Sequence, residues 1–155
     1  MEKFKVLDDV SGDVGLEAYG ATVTEAFINA AVGTYNLIAN PEQVLEKKTI
    51  SVIAESSSID GLLVRWLNEL IFHFDTYGFL GKKIVIDEFT ASCTLPSGHE
   101  AARGKESCRI RASVSGEEFD AGRHEGGLLL KAATYHRLKV EKKDDRWEID
   151  VIFDI

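Results

Sequence analysis

The run Trp147-Glu148-Ile149-Asp150-Val151-Ile152-Phe153-Asp154-Ile155 constrains this chain more than any other, because it reads as a strand that continues to the terminal carboxylate. Trp147, Ile149, Val151, Phe153 and Ile155 recur at every second position, the spacing of a strand with one buried face. Chain ends usually fray; this pattern predicts an end pinned in a sheet. It holds two anionic groups, the Asp154 side chain and the Ile155 main-chain carboxylate, one residue apart. Fixed like charges repel, and a divalent cation ligated by oxygen relieves the repulsion if a third acid arrives from elsewhere in the fold. Asp13, which closes the polar turn Asp8-Asp9-Val10-Ser11-Gly12-Asp13, is the candidate.

Upstream, residues 3–7 and Val14 to Tyr19 alternate as short strands. Thr22-Val23-Thr24-Glu25 is a capping box, in which the threonine oxygen accepts from the N3 amide while the glutamate reaches back. A helix follows, with Phe27, Ala30, Ala31, Thr34, Leu37 and Ile38 on one face, and Asn40-Pro41 ends it because a residue before proline avoids the helical region. Ile50 to Ala54 is a strand. Ser58 caps a second helix whose stripe is Leu62, Leu63, Trp66, Leu67, Leu70, Ile71 and Phe74, with Gly78 just past its end. From residue 83 the period changes to two, in Lys83 to Asp87, Cys108 to Val114, Ala132 to Val140 and the final run. Asp144-Asp145 and their neighbours turn the last two runs into a hairpin. Helices and strands are abundant without regular alternation, which predicts an α+β fold: a single domain over residues 1–155, two helices packed on a mixed or antiparallel sheet.

At 155 residues the chain can bury most of the surface its unfolded form exposes. No apolar run reaches membrane-spanning length, and Met1-Glu2-Lys3-Phe4-Lys5 lacks the apolar core of a secretion signal, so the expected compartment is the cytoplasm. In that reducing setting Cys93 and Cys108 read as small apolar strand residues in preference to a bridge, although a hairpin between them would let them face each other. The formal net charge of −8, with no basic cluster longer than a pair, excludes strong direct binding to a nucleic-acid backbone. A basic protein partner or a metal ion suits it better.

Four segments in register, Asp13-Val14-Gly15-Leu16-Glu17-Ala18-Tyr19-Gly20, Trp66-Leu67-Asn68-Glu69-Leu70, Arg123-His124-Glu125 with Lys131-Ala132-Ala133-Thr134-Tyr135-His136, and Val151-Ile152-Phe153-Asp154-Ile155, resemble the archease family from end to end. The resemblance implies a small acidic metal-binding protein, an accessory factor that promotes guanylylation and multiple turnover of the tRNA-splicing RNA ligase. It also implies the metal ligands: the aspartate of the Asp-Val-Gly motif and the last two residues, here Asp13, Asp154 and Ile155. The chain departs from the family at Val10, where a histidine is usual, and at Ser11-Gly12 in place of Thr-Ala. These changes leave the three oxygen ligands in place and remove whatever that histidine contributes around the metal or at the partner surface. The stretch from about Thr94 to Glu106 reads as a hairpin extension.

An all-oxygen donor set favours hard cations, calcium first and then magnesium or manganese, over zinc. Against it stands the reading of Asp13 as a turn cap and Asp154 as a solvated edge residue. Asp8, Asp9 and Asp13 lack the glycine and distal glutamate of a spaced calcium loop, and Gly15 and Gly20 belong to a strand and its turn, not to a phosphate cradle. His73 flanks the second helix stripe and is expected to have a hydrogen-bond partner; His99 lies in the polar loop; Lys131 reads as a solvated strand lysine. His124 and His136 fall in family-like segments, yet no nucleophile with a supporting acid accompanies them, so a catalytic triad is not expected. The leading expectation is a non-catalytic activator that docks on the ligase. The alternative is a stand-alone metal-dependent phosphoester hydrolase, weakened by the lack of a general base.

Overall fold

The computed structural model describes residues 2–10, 13–91 and 108–155. Its elements in chain order are β1 (Phe4–Val10), β2 (Asp13–Gly20), α1 (Val23–Ile38), a 3-10 turn (Pro41–Gln43), β3 (Lys48–Ser56), α2 (Ile59–Tyr77), β4 (Phe79–Ala91), β5 (Cys108–Glu118), β6 (Ala132–Lys143) and β7 (Arg146–Asp154). The strands form two antiparallel sheets, β1-β2-β7-β6 and β3-β5-β4. Both helices pack on them, α1 against β2 and β4 and α2 against β3 and β6, so each helix touches both sheets. The fold is α+β, as the alternating patterns require.

Local chemistry explains where the helices start and stop. The Thr22 hydroxyl accepts from the Glu25 amide at 3.1 Å, and the Glu25 carboxylate reaches back to accept from the Ala21 amide at 2.7 Å, one residue before the N-cap amide that usually donates in a capping box. Ser58 caps α2 through the Gly61 amide. Gly78 ends it at φ 70, a left-handed conformation that glycine adopts without strain. The last carbonyls of α1 are taken by the loop before β6: Gly127 donates to Ile38 and Leu128 to Leu37, each at 2.8 Å. A Cβ on Gly127 would stand 2.4 Å from the Leu37 carbonyl oxygen, so only glycine lets that loop come so close.

One buried cluster joins the stripes of both helices to the inner faces of both sheets. Leu16, Phe27, Leu62, Leu63, Trp66, Leu67, Leu70, Ile110, Ile149 and Phe153 are fully buried within it. Trp66 ties the helices together, its indole N–H donating to the Phe27 carbonyl at 3.0 Å. Tyr35 is buried against Gly81, and burial pushes its phenol well above the ordinary tyrosine range.

Several strands run longer than their alternation suggests. β4 begins at Phe79 and continues to Ala91, and its register shifts between Gly81 and Lys83 and between Ile86 and Glu88. Each shift moves side chains to the other face, which hides the strand from a period-two search. Cys108 is buried in β5 and disulfide-bonded, which corrects the expectation of a free apolar thiol. Its neighbour across the ladder is Ala91, so the two ends of the 92–107 connection are held side by side, a geometry suited to cross-linking. Cys93, His99, Ser11, Gly12 and the 94–106 extension lie outside the described residues.

Candidate metal centre

The final strand occupies an interior position in its sheet, paired on one side with β2 and on the other with β6. Ile149, Val151 and Phe153 are fully buried on its inner face, as their spacing requires; Trp147 is half-buried, and Ile155 is 41% exposed beyond the strand's end. Val14 pairs with Phe153 in the antiparallel β2–β7 ladder, so Asp13, one residue before, stands opposite Asp154, one residue after. Directly opposed residues lie on the same face of a sheet. The two aspartates therefore share the outer face, at the edge where β7 ends.

The main chain is fixed here on both sides. The Asp154 carbonyl accepts from the Lys131 amide at 2.8 Å, and Ala132 pairs with Asp154 and Ala133 with Phe153 across the β6–β7 ladder. Behind Ala133, the Asn68 side chain of α2 closes a two-bond ring with the strand backbone: its amide donates to the Ala133 carbonyl at 3.3 Å and its oxygen accepts from the Ala133 N–H at 2.7 Å. Asn68 is thus a support of the acidic end that sequence reasoning registered only as part of a family segment.

Carboxylates on opposed residues, whose main chains run about 5 Å apart, repel each other. Among the described residues no lysine or arginine forms an ion pair with either one. The donors are all hard oxygens, which fits a hard divalent cation. Among the described residues no group of three or more His, Cys, Asp or Glu side chains is arranged to hold a metal ion. Asp13 and Asp154 supply two such side chains on one face of the sheet.

A second polar cluster lies elsewhere, at the end of β5. Glu117 is 3% exposed, and its Oε2 accepts from the Leu45 amide at 2.7 Å and lies 2.9 Å from His124 Nε2. Its Oε1 pairs with Arg123 and, at 3.6 Å, with Lys47. The Asp120 amide donates to His124 Nδ1 at 2.8 Å, so Nδ1 is the unprotonated nitrogen and Nε2 carries the hydrogen that Glu117 accepts. The Arg123 guanidinium holds the Glu117 carboxyl far below the ordinary carboxylate range, with burial opposing it. Both His124 nitrogens and both Glu117 oxygens are engaged internally. The cluster fastens the loop after β5 to the 3-10 turn, where Arg123 also donates to the Gln43 carbonyl at 3.1 Å. His124 was visible in the sequence; Glu117 was not, because an acid in Gly116-Glu117-Glu118 looks solvated until its partners arrive from residues 45 and 123.

Among the described residues, His73 and His136 lie outside the buried core. His73 Nε2 lies 4.0 Å from Glu69 on α2, and its ring packs beside Phe72 and Tyr77. His136 is exposed on β6, and Lys131 is exposed one residue before that strand. No helix of the described residues is long and apolar enough to cross a membrane.

The model of the archease protein family matches residues 4–155. Protein archease of Pyrobaculum calidifontis is 33% identical over 147 residues, covering 94% of this chain and 90% of its own. Protein archease of Sulfurisphaera tokodaii is 30% identical over 155 residues and covers both chains completely. Among solved structures, protein 1598 of Methanobacterium thermoautotrophicum superposes with a TM-score of 0.77 at 29% identity over the whole of both chains. A Thermotoga maritima protein described as "an archease, possible chaperone" shares the fold, with a TM-score of 0.60 at 16% identity over 100% of this chain and 98% of its own.

Proposed function

Since the chain belongs to the archease family, we propose that it is an accessory factor of the tRNA-splicing RNA ligase, promoting the ligase's guanylylation and multiple turnover without itself breaking a bond. The observation that supports this reading most is the β2–β7 register, which puts Asp13 beside Asp154 at the end of the last strand. Asp13, Asp154 and the Ile155 carboxylate are the residues that would hold a divalent cation, calcium before magnesium or manganese. Such a cation, when bound, supplies a hard Lewis-acidic charge that offsets the acids' mutual repulsion.

The chain's own residues do the rest. β6 and Asn68 hold the backbone of the acidic end in one position, which removes the ordering cost that a mobile tail would bring to metal binding or docking. The outward-facing aspartates present the site to a partner instead of enclosing a substrate. Charge complementarity with a basic ligase surface speeds encounter and weakens with salt.

The test is a guanylylation and ligation assay with the cognate ligase. Wild-type protein is expected to raise turnover, and Asp13→Asn, Asp154→Asn and a chain extended by a few residues after Ile155 are each expected to stimulate markedly less. Extension keeps every side chain and converts the terminal carboxylate to an amide, so it isolates that group's charge. Equal turnover with and without the wild-type protein would overturn the reading.

A further inference from the structure

Between Thr134, which pairs with Ile152, and Lys139, which pairs with Asp150, the four residues Tyr135–Leu138 stand against the single residue Val151. The strand is forced outward there. An ordinary bulge inserts one residue, so this is a larger protrusion, and it is built rather than frayed. The Thr134 hydroxyl donates to the Ile152 carbonyl at 2.8 Å and accepts from the His136 amide at 3.3 Å, replacing ladder hydrogen bonds that the bulge interrupts.

Arg137, at its tip, has φ 54, one of two non-glycine residues in the left-handed region among those described; the other, Asp144, serves the β6–β7 turn. A left-handed arginine is strained, and strain of this kind persists where the surroundings enforce it. Arg137 gains nothing from its neighbours in return. It is exposed and forms no ion pair or side-chain hydrogen bond among the described residues, whereas Arg109, Arg111, Arg123 and Arg146 are all paired with acids. Tyr135 beside it is 62% exposed. The protrusion begins one residue past Thr134, itself two positions along β6 from the partner of Asp154, so it stands roughly 10 Å from the acidic end at the rise of a strand.

From this we infer that the Tyr135–Leu138 protrusion is the part of the molecule that grips the ligase, with Tyr135 as an aromatic anchor and the Arg137 guanidinium pairing with a carboxylate of the ligase. The inference rests on the ligase reading above. An exposed tyrosine and an unpaired arginine side by side are the residue types that dominate protein–protein binding energy. One arginine at the tip of a protrusion, on a chain of net charge −8, does not make a nucleic-acid surface.

The test measures ligase binding by the full-length chain, wild type against Arg137→Asn, Arg137→Gly and Tyr135→Ala, at low and high salt, with thermal melts of each. Asparagine tolerates positive φ and glycine is free there, so both Arg137 variants are expected to melt at or above the wild-type temperature while binding about tenfold or more weakly, with a flatter salt dependence. Opposite signs in stability and binding are what a merely structural residue would not produce. Wild-type affinity in the Arg137 and Tyr135 variants overturns the inference. So does loss of binding to a bare tRNA transcript with ligase binding unchanged, which would make nucleic acid the occupant. Failure of the wild-type chain to bind the ligase instead overturns the ligase reading itself, and the two failures are distinguished by the wild-type arm.

Discussion

Glu117 marks the limit of what single residues reveal in the sequence. A buried acid is stable only when several donors meet it, and here Leu45 and Lys47 come from one part of the chain and Arg123 and His124 from another. Because its folded pKa lies below the value of 4.5 expected in the unfolded chain, the stability it contributes is complete above that pH and is lost as pH falls through the lowered folded value. Glu117→Gln is therefore expected to melt several degrees below wild type at neutral pH, the gap narrowing as pH falls below 4.5, where the unfolded chain takes up a proton that the folded carboxylate still refuses. Circular-dichroism melts across that range check this, and an undiminished gap in acid would assign the loss to packing instead. Asp13 and Asp154, by contrast, were singled out from local signals, the first opening a short motif and the second ending an alternating strand. What the sequence lacked was their mutual distance.

Among the elements, both helices were readable nearly to the residue, since caps and stripes are local chemistry. Ser58, Gly78 and the Thr22 box set their ends. The strands were readable where they alternate and obscured where they bulge: Ala132 to Val140 reads as one strand and contains the four-residue protrusion. Two helices on one mixed or antiparallel sheet were expected; the helices are found on antiparallel strands divided between two sheets, because strand order depends on long-range pairing that periodicity does not encode. Asn68 shows how an element is held at a distance, its side chain clamping β6 beside the acidic end. Asn68→Ala removes both hydrogen bonds and should cost about 1–3 kcal/mol, with the Ala133 amide exchanging faster in hydrogen-exchange measurements while amides of β3 and β5 keep their protection. Uniform loss of protection would mean that Asn68 supports the whole fold and not this strand end.

At the scale of the molecule, topology brings two acids far apart in the sequence side by side. The order β1-β2-β7-β6 inserts the last strand between β2 and β6, which pairs the opening segment with the closing one and sets Asp13 opposite Asp154. The resemblance to archeases suggested that meeting, and the register supplies its geometry. The measurement that tests the idea most directly is a calorimetric titration of calcium, then magnesium and manganese, into the wild-type chain and Asp13→Asn. A single saturable site in the wild type, weakened about tenfold or more in Asp13→Asn, is the expected result. No uptake of any of the three ions, or equal affinity in the two chains, would contradict a cation held where β2 begins and β7 ends.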